Sequence, residues 1–186
     1  MRAEQKADMA DKRQQYLTFL LGGEAFAIGI LGIKEIIEYG QLTTVPMMPG
    51  FVRGVVNLRG AVVPVVDMAV RFGRNPTEIT RRTCVVIIET EAGGEKQDIG
   101  VIVDAVNAVM DIPDSEIEPA PTFGAKIRAD FIGGMGKVDG KFVIILDVDR
   151  VLSFDEMAAL AGIDDAKADG QPVLNPEGAS DSRRLA

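Results

Sequence analysis

The chain repeats itself. Residues 51–68 read FVRGVVNLRGAVVPVVDM, and residues 131–148 read FIGGMGKVDGKFVIILDV. The two stretches align without a gap at an offset of 80 (131 − 51), with five identical pairs in 18: Phe51/Phe131, Gly54/Gly134, Gly60/Gly140, Val63/Val143 and Asp67/Asp147. Ordinary composition yields roughly one identity in such a window. Seven further pairs exchange one apolar residue for another, from Val52/Ile132 to Met68/Val148. A weaker echo precedes each copy, FAIGILGIKEIIE at 26–38 against IGVIVDAVNAVMD at 99–111, at an offset of 73 (99 − 26). The order is kept while the connection lengthens. Such a pattern implies a tandem duplication of one β-rich unit, with a shared fold and divergent surfaces.

Each unit reads as short strands. Tyr16–Leu21 and Phe26–Ile30 flank Gly22-Gly23, and Ile33–Glu38 follows a kink near Gly32. Gln41–Pro46 reads as loop or short strand, and Pro49–Arg53 as about one helical turn, with Pro49 suited to its first position. Val55–Leu58 and Ala61–Asp67 form a hairpin around Arg59-Gly60, matched by Asp139-Gly140, a dipeptide that type I′ turns favour. Pro64 lies inside its strand and cannot donate to a ladder, so its nitrogen is expected at an edge or bulge. Cys84–Glu89 and Ile99–Val103 pair across TEAGGEKQD, a polar loop expected to be mobile. Pro113–Thr122 is a proline-rich connection. Ser153 and Glu156 fit a capping box for a short helix with Met157, Leu160 and Ala161 on one face and Gly162 as its stop. Residues 1–14 read as a flexible tail, 15–162 as the folded part, and 163–186 as disordered. About ten strands in two sets of five predict an all-β protein of two small packed barrels. Units this small have marginal cores alone, and packing them together supplies a shared one.

Composition removes several function classes. The net charge of −8 disfavours non-specific nucleic-acid binding and docking on anionic membranes. No apolar run reaches the ~18 residues of a transmembrane helix, and no signal peptide is visible, so a cytoplasmic protein is expected. The single cysteine, Cys84, cannot form an intramolecular disulfide and reads as a small buried hydrophobe. Histidine is absent, which removes histidine bases, histidine metal sites and histidyl phosphotransfer.

Three chemical candidates remain. Asp67 and Asp147, one per copy, resemble the paired carboxylates of a hydrolase. Aspartic proteases follow each such Asp with a small hydroxyl residue and then glycine, whereas Met68 and Val148 follow here. The structural reading is that each Asp ends a strand and accepts from nearby backbone N–H groups. Gly133-Gly134-Met135-Gly136 lacks the frame of a phosphate-binding loop, and Asp147, Asp149 and Asp155 lack calcium-loop spacing. The segment Arg53–Gly60 is different. It places Arg53, Asn57 and Arg59 on a turn and a short helix. The second copy keeps its glycines and apolar positions but not its charges, since Gly133 and Asp139 replace Arg53 and Arg59. Surface arginine is common, but arginine is also a preferred interface anchor.

GVVNLRGAVVPVVDM resembles the signature of the CheW family of bacterial chemotaxis coupling proteins. The upstream YLTFLLGGEAFAIGILGIKEIIE and the downstream VVIIET, IGVIVDAVNAV, IEPAPTF, FIGGMGKVDGKFVIILDVDRVL and SFDEMAAL follow the family's order of elements over about residues 14–162. The resemblance implies two SH3-like five-stranded β-barrels around a shared core, no catalysis and no cofactor. It implies an adaptor, recruited to membrane receptor arrays, that joins the cytoplasmic tip of transmembrane chemoreceptors to the regulatory domain of the histidine kinase CheA. Residue by residue it points to Ile33, Glu35, Arg53, Gly54, Asn57, Arg59 and Gly100 for the receptor. Val86, Ile88 and Val101, taken to lie on the second barrel, are expected to face the kinase. A coupling protein of a parallel pathway, such as pili motility or biofilm control, is the alternative within this class. The loop GRNPTEITRR (73–82) carries no family signature.

Overall fold

The computed structural model describes residues 12–92, 94–121 and 127–153. The helix expected from Ser153 and both outer tails thus fall almost wholly outside the described residues. The first copy supplies strands β1 (Arg13–Leu21), β2 (Glu24–Gly29), β3 (Ile33–Glu38), β4 (Val52–Leu58) and β5 (Ala61–Asp67), then the one-turn helix α1 (Met68–Arg71). The second supplies β6 (Cys84–Ala92), β7 (Glu95–Val103), β8 (Ala105–Pro113), β9 (Ile117–Glu118), β10 (Ile132–Val138) and β11 (Lys141–Leu146), then α2 (Val148–Val151).

These strands form two sheets, ordered β3-β6-β7-β5-β4 and β8-β1-β2-β11-β10-β9. Each sheet closes on itself, giving two SH3-like β-barrels. After β3 the chain returns to pair Thr43 with Val55 of β4, through Thr43 N to Val55 O at 2.9 Å and the reverse bond at 2.8 Å. After β8 a 3₁₀ turn at Asp114–Glu116 leads into β9, which pairs with β10. Closure leaves few backbone groups on open edges.

The two copies exchange their opening hairpins. β1 and β2 join the second copy's β8–β11, while β6 and β7 join the first copy's β3–β5. Neither copy therefore makes a barrel by itself. The exchange keeps register: Val65 sits opposite Gly100 in the parallel β5–β7 pair, and Ile145 opposite Ala27 in the parallel β11–β2 pair. Val65/Ile145 and Gly100/Ala27 are related by the two sequence offsets, 80 and 73.

Burial explains why many strands are apolar without alternation. Val85 and Ile87 point into the first barrel with Val63, Val65 and Ile102, while Val86 and Ile88 point out of it into the layer between barrels. A strand covered on both faces reads as a continuous apolar run. The layer between barrels is the main core, joining Leu17, Phe19, Phe26 and Ile28 of one barrel to Val66, Met68, Val86 and Val101 of the other. The equivalent anchors Phe51 and Phe131 are both buried in it. Phe19, Phe26, Phe72 and Phe131 follow one another with ring centroids 6.1, 5.7 and 6.0 Å apart, within the range of favourable ring pairs.

Local geometry repeats too. Both hairpins carry a bulge at the same place, between Val52 and Gly54 and between Ile132 and Gly134. Both turns hold two residues at positive φ, Arg59 (50°) with Gly60 (84°) and Asp139 (50°) with Gly140 (76°). The expected helical turn at Pro49–Arg53 is a single hydrogen-bonded turn, Val52 N to Pro49 O at 2.9 Å, running straight into β4. β7 pairs with β5 only at Val65–Asp67, so Pro64 stands outside that ladder. The loop expected at 90–98 is instead mostly ladder, with Thr90, Glu91 and Ala92 opposite Gln97, Lys96 and Glu95. Polar side chains do not prevent backbone pairing, and ion pairs support it here: Lys34 Nζ lies 3.0 Å from Glu89 and 2.7 Å from Asp98, and Lys96 Nζ 3.0 Å from Glu89.

Candidate functional site

The structure divides the residues picked from sequence into surface and scaffold. Arg59 and Glu35 belong to the surface. Arg59 heads the β4–β5 turn with its side chain 81% exposed, and Glu35 lies on β3. The closed barrel brings these separate strands together, and Arg59 Nη2 donates to Glu35 Oε2 at 3.0 Å. Asn57 Oδ1 accepts from Gly60 N at 2.9 Å, fixing the turn that carries Arg59. Ile33 is half-buried at the start of β3. Val62, opposite Asn57, exposes an apolar side chain beside them. An exposed ion pair adds little stability because water screens it. It sets the guanidinium beside the Glu35 carboxylate.

Arg53, Gly54 and Gly100 are placed differently. Arg53 lies along β4, not on a short helix, and turns toward the protein. Its Nε donates to Asp67 Oδ2 at 3.1 Å and its Nη2 to Thr77 O at 2.9 Å. Gly54 is buried where the barrel closes. A Cβ there would sit 2.5 Å from Thr43 O, closer than real side chains approach. Gly100 is buried in β7, and its Cβ would meet Val85 Cγ1 at 2.8 Å. As folded, these two glycines serve close packing and offer no side chain to a partner.

The three residues expected to face the kinase need a correction. Val86, Ile88 and Val101 are 0%, 1% and 0% exposed, and they fill the core between barrels. They also belong to the barrel holding β4 and β5, because the β6–β7 hairpin is exchanged. Apolar β-runs offered no way to tell an outer face from an inter-barrel one.

Asp67 and Asp147 do end their strands and cap the helices that follow. Asp67 accepts from Ala69 N at 3.1 Å, Thr77 N at 2.9 Å and Thr77 Oγ1 at 2.8 Å besides Arg53, and it is fully buried. Asp147 accepts from Arg150 N at 3.2 Å. No hydrogen bond joins the two carboxylates among the described residues. Gly133–Gly136 is strand β10 packed against β9, with a Cβ at Gly134 only 2.6 Å from Ile117 Cγ2, so the segment forms no cradle. Among the described residues no three of His, Cys, Asp and Glu gather as metal ligands, and no helix is long and apolar enough to cross a membrane.

Sequence reasoning missed Leu31. It sits on a one-turn 3₁₀ helix (Ile30–Gly32) between β2 and β3 and is 99% exposed. The cleft beside it, about 610 Å³, is lined by Gln15, Ile30, Ile88 and Val148 among others and lies between the barrels. The glycines at 29 and 32 were the available signal, since they bracket a tight turn that lifts the intervening side chains off the sheet.

Comparison with known proteins agrees with this architecture. A family profile described as the CheW-like domain matches residues 15–156. The chemotaxis protein CheW of Klebsiella aerogenes is 33% identical over 150 residues, covering 81% of this chain and 88% of that protein. Protein FrzA of Myxococcus xanthus is 26% identical over 157 residues, covering 83% and 95%. The crystal structure of the scaffolding protein TtCheW from Thermoanaerobacter tengcongensis is similar with a TM-score of 0.68 and 30% identity, covering 77% of this chain and 90% of that one. With two hairpin-exchanged barrels and a family profile spanning both, this chain belongs to the CheW family.

Proposed function

We propose that this chain is a non-catalytic cytoplasmic adaptor that couples transmembrane chemoreceptors to the histidine kinase CheA. The observation that carries the reading is the exposed Arg59–Glu35 pair on the N-L-R-G turn, set in a chain of this family. An exposed guanidinium beside Val62 and Ile33 suits a partner helix that offers both apolar and acidic groups. Asn57 acts as the support that orients the turn, while Arg53, Gly54 and Gly100 act on the receptor surface only through the scaffold.

The kinase contact is better placed at Leu31 than at the buried valines and isoleucine. A fully exposed leucine over a cleft between the barrels is an anchor of the type that interfaces bury. Holding receptor and kinase on separate faces raises their effective concentration for each other and couples their states. No hydrolytic chemistry is expected from Asp67 or Asp147, because the first is saturated by donors and the second caps its own helix. The likeness to FrzA, which bears another name than CheW, leaves coupling in a parallel pathway as a second reading.

Titration against a soluble receptor fragment and, separately, the kinase regulatory domain tests the proposal. Leu31→Glu should abolish kinase binding and leave receptor binding intact. Purified chain alone should show no hydrolysis or phosphoryl transfer, and it should raise kinase autophosphorylation only with receptor present. Loss of both partners together in Leu31→Glu, with the fold retained, would refute separate faces. Capturing the bound receptors and kinase from the native cell, then identifying them by mass spectrometry, decides the pathway.

A further inference from the structure

The connection between α1 and β6 (72–83) has no helix or strand of its own. Unstructured connections this long are usually functional. This one is held at two points. Thr77 is buried and gives both its N–H and its hydroxyl to Asp67, while its carbonyl accepts from Arg53. Thr80 N donates to Thr83 Oγ1 at 2.8 Å, and Arg82 N to Thr80 Oγ1 at 3.2 Å. The loop is thereby pre-organised without being packed away.

It walls a cleft of about 850 Å³ whose other sides include Gly22, Ala69 and Asp104. The charges on its lining divide by whether they are already used. Arg74 is committed to Glu24 at 2.6 Å and to Leu21 O at 3.4 Å. Asp104 Oδ2 accepts from Gly22 N at 2.7 Å. Arg81 and Arg82 line the same cleft and have no side-chain partner among the described residues. Glu78 is the free anion set against them. Two unpaired guanidiniums therefore stand at a cleft in a chain whose net charge is −8. Pro76 and Ala69 add apolar floor, and Ile79 stands exposed on the same loop.

We propose that this cleft is a second docking surface, taking an acidic peptide segment of a partner protein through Arg81 and Arg82. Guanidiniums pair with carboxylates in a planar, two-bonded geometry that a pinned loop can present ready-made. Salt screens charges more than about 10 Å away, so an acidic segment in the cleft feels Arg81 and Arg82 more strongly than the acidic groups elsewhere on the surface. The site is separate from the Arg59 turn, so it adds a contact to the proposed coupling function and does not depend on it.

The test uses the full chain and a fluorescent ten-residue probe with four glutamates and two leucines, followed by anisotropy at low salt. The double variant Arg81→Glu/Arg82→Glu should weaken binding about tenfold or more, and Arg81→Lys/Arg82→Lys should weaken it less, since the charge stays while the two-bonded geometry is lost. Both variants should retain the parent's thermal midpoint, since both positions are exposed. Arg59→Ala should bind the probe as the parent does, which separates this site from the receptor surface. The proposal is overturned by equal binding of a glutamine version of the probe, by indifference to charge reversal, or by displacement with inorganic phosphate at the probe's own concentration. A peptide of residues 163–172 that binds as tightly as the probe would assign the cleft to this chain's own acidic stretch and overturn the partner assignment.

Discussion

Asp67 and its repeat partner Asp147 cap equivalent helices, but only Asp67 is sealed beneath an arginine. Arg53 closes over Asp67, whereas the second copy has Gly133 at the matching place. A buried ion pair broken on one side leaves the other charge without compensation. Asp67→Ala should therefore cost about 3–5 kcal/mol, while Asp147→Ala should cost about 1 kcal/mol, the usual worth of a helix cap. Denaturant unfolding of both variants checks this. Equal losses would mean that the clamp adds nothing to the cap.

Phe51 and Phe131 serve the shared core from opposite copies, and Arg71 stacks on both, its guanidinium 5.3 Å from one ring centroid and 4.7 Å from the other. Truncating either phenylalanine to alanine should cost about 3–5 kcal/mol. Because the opening hairpins are exchanged, each loss should lower one cooperative transition, not unfold one barrel first. Calorimetry that showed two separated transitions in either variant would contradict a common core.

The repeat made the barrels and the two turns legible, because glycines at positive φ and paired apolar runs leave local marks. The exchange of hairpins left none. β1–β2 and β6–β7 have the same apolar pattern whichever barrel they join, so pairing partners are decided by tertiary contacts that a single sequence does not display. The same blindness misplaced Val86, Ile88 and Val101. Gly54 and Gly100 were picked through resemblance, and the structure gives each a packing reason: backbone at Thr43 and the side chain of Val85 occupy the volume a Cβ would need. Arg59 and Glu35 were picked together, and the barrel does bring them together, 24 residues apart in sequence.

Gly54 yields its own prediction. Gly54→Ala pushes a methyl against the Thr43 carbonyl at the seam that closes the first barrel. The cost should be about 1–3 kcal/mol, as for overpacking in a fixed site. Amide exchange should quicken first at Thr43 and Val55, whose mutual bonds form that seam. Undiminished stability with lost receptor binding would instead make Gly54 a receptor contact.

The network on the extended β6–β7 hairpin predicts a pH response. Hydrogen bonds from Lys34 and then Lys96 hold the Glu89 carboxyl below the ordinary glutamate range, and bonds to Asp98 and then Glu89 raise Lys34. A lowered folded-state pKa means that Glu89's contribution is present above the unfolded-state value. It is lost as pH falls through the lower, folded one. At the alkaline end, Lys34's contribution is present below its unfolded value and lost as pH rises through the raised one. Carboxyl-detected NMR should place the Glu89 midpoint below that of a free glutamate, and Lys34→Met should move it back up. An unmoved midpoint in that variant would show that Lys34 does not set it.

Arg59 separates folding from recognition most cleanly. It occupies a left-handed turn position that Asp139 fills in the other copy, so the fold accepts either charge there. Its pair with Glu35 is exposed and worth little in water. Arg59→Ala should therefore shift stability by no more than about 0.5 kcal/mol. If Arg59 anchors a receptor helix, that variant should weaken receptor binding by about 1–2 kcal/mol, the scale that separates anchors from bystanders. Arg59→Asp, which copies the second turn, should fold at least as well, since Asp tolerates positive φ better than Ala. It should bind receptor worse than the alanine variant, because it sets an acid against the acidic groups proposed for the partner helix. Kinase binding should survive both changes, since its contact is proposed at Leu31. The decisive measurement is calorimetric titration of each variant against the receptor fragment and the kinase regulatory domain. Equal loss toward both partners, or an unfolded Arg59→Ala, would make Arg59 part of the scaffold and remove the receptor surface from the β4–β5 turn.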